Sequence, residues 1–103
     1  MNKYGLHGHL KASPGKGGQL ANILLEAAQL VSTAKGCQIY FISRTEAEPD
    51  TVWITEVWDS PADHEASLQV PGVRELIGQA MPILAESPQR GQILNVLGGH
   101  GVA

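Results

Sequence analysis

Apolar and polar residues alternate over 4–12, "YGLHGHLKA". Tyr4, Leu6, Gly8 and Leu10 share one parity, and Gly5, His7, His9 and Lys11 share the other. A period of two marks a half-buried strand. "SPGKGG", at 13–18, then breaks the chain with a proline and three glycines. Beyond it the period becomes helical. Leu20, Ile23, Leu24, Ala27, Val31 and Ala34 fall on one face, and Gln19, Asn22, Glu26 and Gln29 on the other. This predicts a helix over 18–34, stopped by Gly36.

"CQIYFISR", 37–44, is rich in β-branched and aromatic residues and reads as a second strand. "TEAEPD", 45–50, is polar and ends in a turn signal. "TVWITEVWD", 51–59, is a third strand with bulky groups on both parities. Val52, Ile54, Glu56 and Trp58 share one; Trp53, Thr55 and Val57 share the other. A strand apolar on both sides usually has both sides covered. Ser60, Pro61 and Asp63 are start signals for a helix over 60–68. A further helix is expected over 71–84, with Val73, Leu76, Ile77 and Ala80 inward. After the loop at 85–90, "GQILNVL", 91–97, is a last strand.

The order β-α-β-β-α-β predicts an α+β, ferredoxin-like fold, with helices on one face of an antiparallel sheet. The other face is left bare. A large bare sheet face is usually an interface, so a homodimer through that face is expected. Residues 1–103 are expected to form one domain, with a core over about 3–97 and a flexible glycine-rich tail at 98–103.

Composition narrows the partners. Net charge is −3, and the seven Lys and Arg residues are scattered. Neither nucleic acid nor a membrane is expected as a partner. The chain has one cysteine, Cys37, so no internal disulfide can form, and a cytoplasmic setting fits. The first residues lack the apolar run of a signal peptide.

"PGKGG" before the first helix, "TEVWDSPADHEASL" across the third strand and second helix, and the order of elements carry a resemblance. Together they resemble the antibiotic biosynthesis monooxygenase family of dimeric α/β barrels. Its most specific part is Glu-x-Trp-x-Ser, here Glu56, Trp58 and Ser60. The resemblance implies a cofactor-independent monooxygenase that oxidises a quinol or polycyclic phenol with O2. The substrate would sit in an apolar pocket between sheet and helices, and no cofactor or metal would be required. Two departures stand out. Many relatives carry histidine where this chain has Ser67, whereas here a histidine stands at His64. The haem-degrading branch carries an iron-ligating histidine near the position of Gly78, and residues 73–81 contain none. Haem degradation is therefore placed below quinol oxidation. A non-catalytic small-molecule binding or dimerisation module is the alternative on the same fold.

The candidate residues follow. Trp58 could contact an aromatic substrate, or it could be core. His64 could be an acid–base or orienting group, or a surface histidine. Gly8, Tyr40 and Arg74 are the further candidates for substrate binding. Gly8 reads as a gap beside Trp58, and Arg74 has a solvent ion pair as its plainer reading. Glu56 reads as a structural charge needing a partner, with Arg44 or Arg74 available. Trp53 is assigned to the dimer interface, and Cys37 to the core as an inert thiol. His7 and His9 share a strand face, with His64, Glu65 or His100 as further donors. Nothing in the sequence converges them, so no metal site is expected.

Overall fold

The computed structural model describes residues 2–89 and 91–102. Met1, Arg90 and Ala103 lie outside the described residues, so the loop expected at 85–90 and the tail expected at 98–103 are followed only to Gln89 and Val102. The elements are β1 (Lys3–Lys11), α1 (Gly17–Val31), β2 (Cys37–Ser43), β3 (Thr51–Trp58), α2 (Pro61–Ser67), α3 (Val73–Ala80), a 3-10 turn (Met81–Ile83) and β4 (Gln92–Val96). The strands form one antiparallel sheet in the order β2-β3-β1-β4, the ferredoxin-like arrangement. The sheet is open within one chain.

Strand register settles which parity faces the helices. Tyr4 pairs with Trp58, Leu6 with Glu56, Gly8 with Ile54 and Leu10 with Val52. Val52 and Trp58 are fully buried, so this is the helix-covered face. Leu20, Ile23, Leu24 and Ala27 of α1 pack onto it with Val52, Leu76 and Ala80. A second cluster joins Val31, Trp58 and Val73. His7, His9, Trp53, Thr55 and Val57 lie on the outer face.

The boundaries differ from the sequence pattern for local reasons. The first helix ends at Val31, three residues early. Ser32 turns its hydroxyl onto the Gln29 carbonyl, and Gly36 enters the left-handed region at φ 82°. The helix expected over 71–84 spans only Val73–Ala80 before tightening into the 3-10 turn, where Pro82 has no N–H to continue it. Ile77, expected inward, is 46% exposed. The start signals of α2 act as read: Ser60 Oγ accepts from the Asp63 N–H at 3.2 Å, with Pro61 in the first turn.

The loop "PGKGG" is held by one side chain. Asp50 accepts from the N–H of Gly15 at 3.1 Å and of Gly17 at 2.9 Å. A Cβ at Gly17 would overlap the Pro49 carbonyl and come within 2.6 Å of Asp50 Cα. A Cβ at Gly18 would meet nothing within 4 Å. Gly17→Ala is therefore expected to destabilise the protein by about 1–3 kcal/mol through overpacking. Gly18→Ala should be neutral or stabilising by up to about 1 kcal/mol through helix propensity. Urea melts of the two variants check this, and equal effects would refute it.

Candidate functional site

Between the sheet and the helices lies a cavity of about 240 Å³. It exists because α3 packs mainly on α1, leaving space above β1 and β3. Its lining is apolar except for Glu56, Tyr40 and Ser67. Leu68, Ile77 and Met81 line it while staying 38%, 46% and 50% exposed, and so mark its mouth. The loop after α3 closes one end. It is pinned to the end of β1 by the N–H of Ser13 on the Ile83 carbonyl and of Ala85 on the Lys11 carbonyl, both at 2.8 Å. A smaller space of about 150 Å³, lined by Leu6, Gly8 and Gln89 among others, also reaches Glu56.

Glu56 is the centre of the polar constellation. Its side chain is only 13% exposed. Trp58, two residues on along the same strand face, donates its indole N–H to Glu56 Oε1 at 2.9 Å. His64 Nε2 stands 3.6 Å from the same oxygen. The His64 ring lies 5.9 Å from those of Tyr4 and Trp58. Burial pushes the Glu56 carboxyl above its ordinary range, opposed by the Trp58 hydrogen bond and by His64. Tyr40 is the cross-strand neighbour of Glu56. Burial, then the Glu56 charge, raises its phenol far above the usual value, so it stays a neutral donor. The Cys37 thiol is pushed up by burial and by Glu56, which makes it a poor nucleophile.

The residues singled out in the sequence distribute unevenly around this centre. Trp58 has no exposed surface and does not line the cavity; its ring holds Glu56. His64 also stands off the cavity wall, behind Glu56. Tyr40 lines the cavity. Gly8 pairs with Ile54, away from Trp58. A Cβ there would come within 2.9 Å of Gly91 Cα, so its missing side chain serves a close approach of β1 and the start of β4. Arg74 is exposed on α3, with Nη2 3.4 Å from Gln69 Oε1. Arg44, offered as a partner for Glu56, instead donates to the Pro49 carbonyl at 3.1 Å. Sequence reasoning gave Glu56 a structural role and named Ser67 only as a departure from the family pattern, not as part of the pocket. The available signal was a carboxylate on the covered face, spaced two from a tryptophan.

On the outer face, Trp53 lies between two imidazoles. Its ring centroid is 5.1 Å from His7 and 4.7 Å from His9. His7 Nδ1 is 3.0 Å from Thr55 Oγ1. No three His, Cys, Asp or Glu side chains converge as metal ligands among the described residues. Nor is any described helix long and apolar enough to cross a membrane.

The profile of the antibiotic biosynthesis monooxygenase family matches residues 4–79. The chain belongs to this family. Among solved structures, a protein from Chloroflexus aurantiacus provisionally named a member of the same family is 40% identical. The match covers 98% of this chain and 99% of that one, with a TM-score of 0.85. A protein from Deinococcus radiodurans with the same provisional name is 26% identical over 94% of this chain and 93% of that one, at a TM-score of 0.73. One from Nitrosomonas europaea shares the fold at a TM-score of 0.85 but only 15% identity, covering 92% and 90% of the two chains. A search of curated proteins finds no match. The family match spans the strand and helix that carry Glu56, Trp58 and His64.

The raised carboxyl makes a stability prediction with a definite sign. At low pH Glu56 is protonated in both folded and unfolded chains. As pH rises, the unfolded chain releases the proton first while the folded one retains it. Stability from this group therefore falls from the ordinary carboxylate range upward and levels once both states are ionised. Glu56→Gln keeps an oxygen for the Trp58 N–H and removes the charge. Its stability relative to wild type should rise between about pH 4 and neutrality. Urea melts across that range measure the difference, and a constant difference would refute the prediction.

Proposed function

We propose that this protein is a cofactor-independent monooxygenase oxidising a quinol or polycyclic phenol with O2, in the cavity between sheet and helices. The observation that carries this reading is the placement of Glu56. It is the acid on a cavity wall that is apolar apart from Tyr40 and Ser67, and its basicity is raised by burial. Trp58 and His64 both address Oε1, which leaves Oε2 to take a proton from the substrate hydroxyl. Tyr40, kept neutral, donates to the resulting anion. The electron-rich ring then passes an electron to O2, and the two radicals combine at a ring carbon. One oxygen atom forms the new C–O bond. The other leaves as hydroxide with the hydrogen of that carbon, and this hydroxide and the proton taken up by Glu56 together make one water. Trp58 and His64 serve the reaction through Glu56.

The cavity volume of about 240 Å³ falls below the roughly 300–1,000 Å³ of pockets for drug-sized ligands. Within the proposed class this favours a small quinol over a larger polycyclic phenol.

Oxygen uptake with a panel of naphthoquinols and anthrones tests the reading. Turnover above the uncatalysed rate is expected, and Glu56→Gln should lower kcat by about 10²–10⁴, the usual range for loss of a general base. Ligand binding without turnover would instead establish a binding module. Neither binding nor turnover across the panel would remove the substrate class.

The same reading includes a homodimer through the outer sheet face. The family is generally dimeric. Phe41 and Leu94 are 50% and 44% exposed on that face, which also carries Trp53. Sedimentation velocity should give a dimer for wild type and a folded monomer for the Trp53→Glu, Phe41→Glu double variant. A wild-type monomer at micromolar concentration would refute this arrangement.

A further inference from the structure

A buried base that takes a proton on each turnover must release it before the next. This requirement follows from Glu56 acting as the base, and the inference below rests on that reading. The surroundings of Glu56 offer few exits. Trp58 donates an N–H and has no lone pair to carry a proton onward. Tyr40 and Cys37, on β2, already hold their protons and are biased to keep them. Tyr4, on β1, meets the His64 ring, with the centroids 5.9 Å apart. The helix α2 supplies the remaining neighbour. His64 faces Glu56 on one side and is 22% exposed, against 13% for Glu56. Its place is fixed by the first turn of α2, where its N–H donates to the Ser60 carbonyl and its carbonyl accepts from Ser67 Oγ at 2.6 Å. Tyr4 and Trp58 flank the ring.

We infer that His64 is a proton relay joining Glu56 to solvent. The separation of 3.6 Å between Nε2 and Oε1 is just beyond hydrogen-bond length. A half-turn of the carboxyl about its Cγ–Cδ bond exchanges the two oxygens. It brings the O–H formed at Oε2 round to Nε2, where that same oxygen accepts the Trp58 N–H, and turns Oε1 away from both. Nε2 accepts the proton and the Nδ1–H is released to water. The neutral ring then returns to its starting tautomer by exchange with water. One proton leaves per turnover, and Glu56 is again a carboxylate. Histidine suits this work because it titrates near neutrality and has two nitrogens on opposite edges.

The test uses the full-length protein and one naphthoquinol. In weak buffer, His64→Gln should lower kcat about tenfold or more while KM changes little, and imidazole at tens of millimolar should restore the rate. A loss of rate without rescue, or no loss, would overturn the relay and leave His64 a packing role. A second arm does not depend on turnover. The His64 ring resonances of isotope-labelled protein should sense the titration of Glu56, and Glu56→Gln should abolish that inflection. Ring resonances indifferent to Glu56→Gln would overturn the inference. Absence of turnover in wild type would count against the proposed reaction alone, and the resonance arm would then decide the relay.

Discussion

An ionisable carboxyl on the covered face of a sheet needs a donor inside the fold. For Glu56 that donor is the indole N–H of Trp58. The spacing makes the bond possible, since residues two apart on a strand share a face. The burial of Trp58 makes it durable, since the ring is packed with Val31 and Val73. Magnitudes explain the carboxyl's remaining bias. A hydrogen bond to a charged group contributes about 1.5–3 kcal/mol. The effective penalty for burying an ion is several kcal/mol. Trp58 therefore offsets part of the cost but not all, and the carboxyl stays above its ordinary range despite favourable neighbours. The protein holds a base in place while keeping it a strong one.

That bond depends in turn on the register of β1 against β3. Tyr4, Leu6, Gly8 and Leu10 meet Trp58, Glu56, Ile54 and Val52 on the helix side. A slip by one residue on β1 would bring His7 and His9 under the helices and put Leu6 outside. The Gly8–Gly91 approach opposes such a slip. The two backbones come so close that a Cβ at Gly91 would meet the His7 carbonyl oxygen at 2.7 Å. The outer face then carries its own chemistry. Trp53 stands between His7 and His9, while Val57 is buried at the end where the tail brings Gly101 beside Ile39.

The order of elements and the faces of α1 were legible because their periods are strong and their breaks are marked by Pro and Gly. Strand parity was legible too, but not which parity faced inward, since β3 is bulky on both. Val52 and Trp58, fully buried, settle that. The site was harder to see. Trp58 and His64 both meet Glu56, yet neither reaches the cavity wall. Sequence spacing shows that Glu56 and Trp58 share a face. It does not show an indole turned back along its own strand onto a carboxylate. Arg44 and Arg74 were natural partners for Glu56 by charge, but both lie in exposed surroundings, tied to Pro49 and Gln69. The cavity had no sequence signal, because it results from how α3 leans on α1.

Ser67 and His64 show why one substitution cannot be read apart from its neighbours. The resemblance expects an imidazole at position 67, which lines the cavity. Here that position holds a small residue whose hydroxyl is spent on the His64 carbonyl. Position 64 lies one turn earlier on the same helix and off the cavity wall. A histidine at 67 would project into the space a ligand needs. A histidine at 64 keeps an imidazole beside Glu56 and leaves that space free. The volume of about 240 Å³ is already modest, and an added imidazole would reduce it further. Moving the ring by one turn thus separates two demands that compete at one position, room for an aromatic ligand and a titratable neighbour for the buried carboxylate.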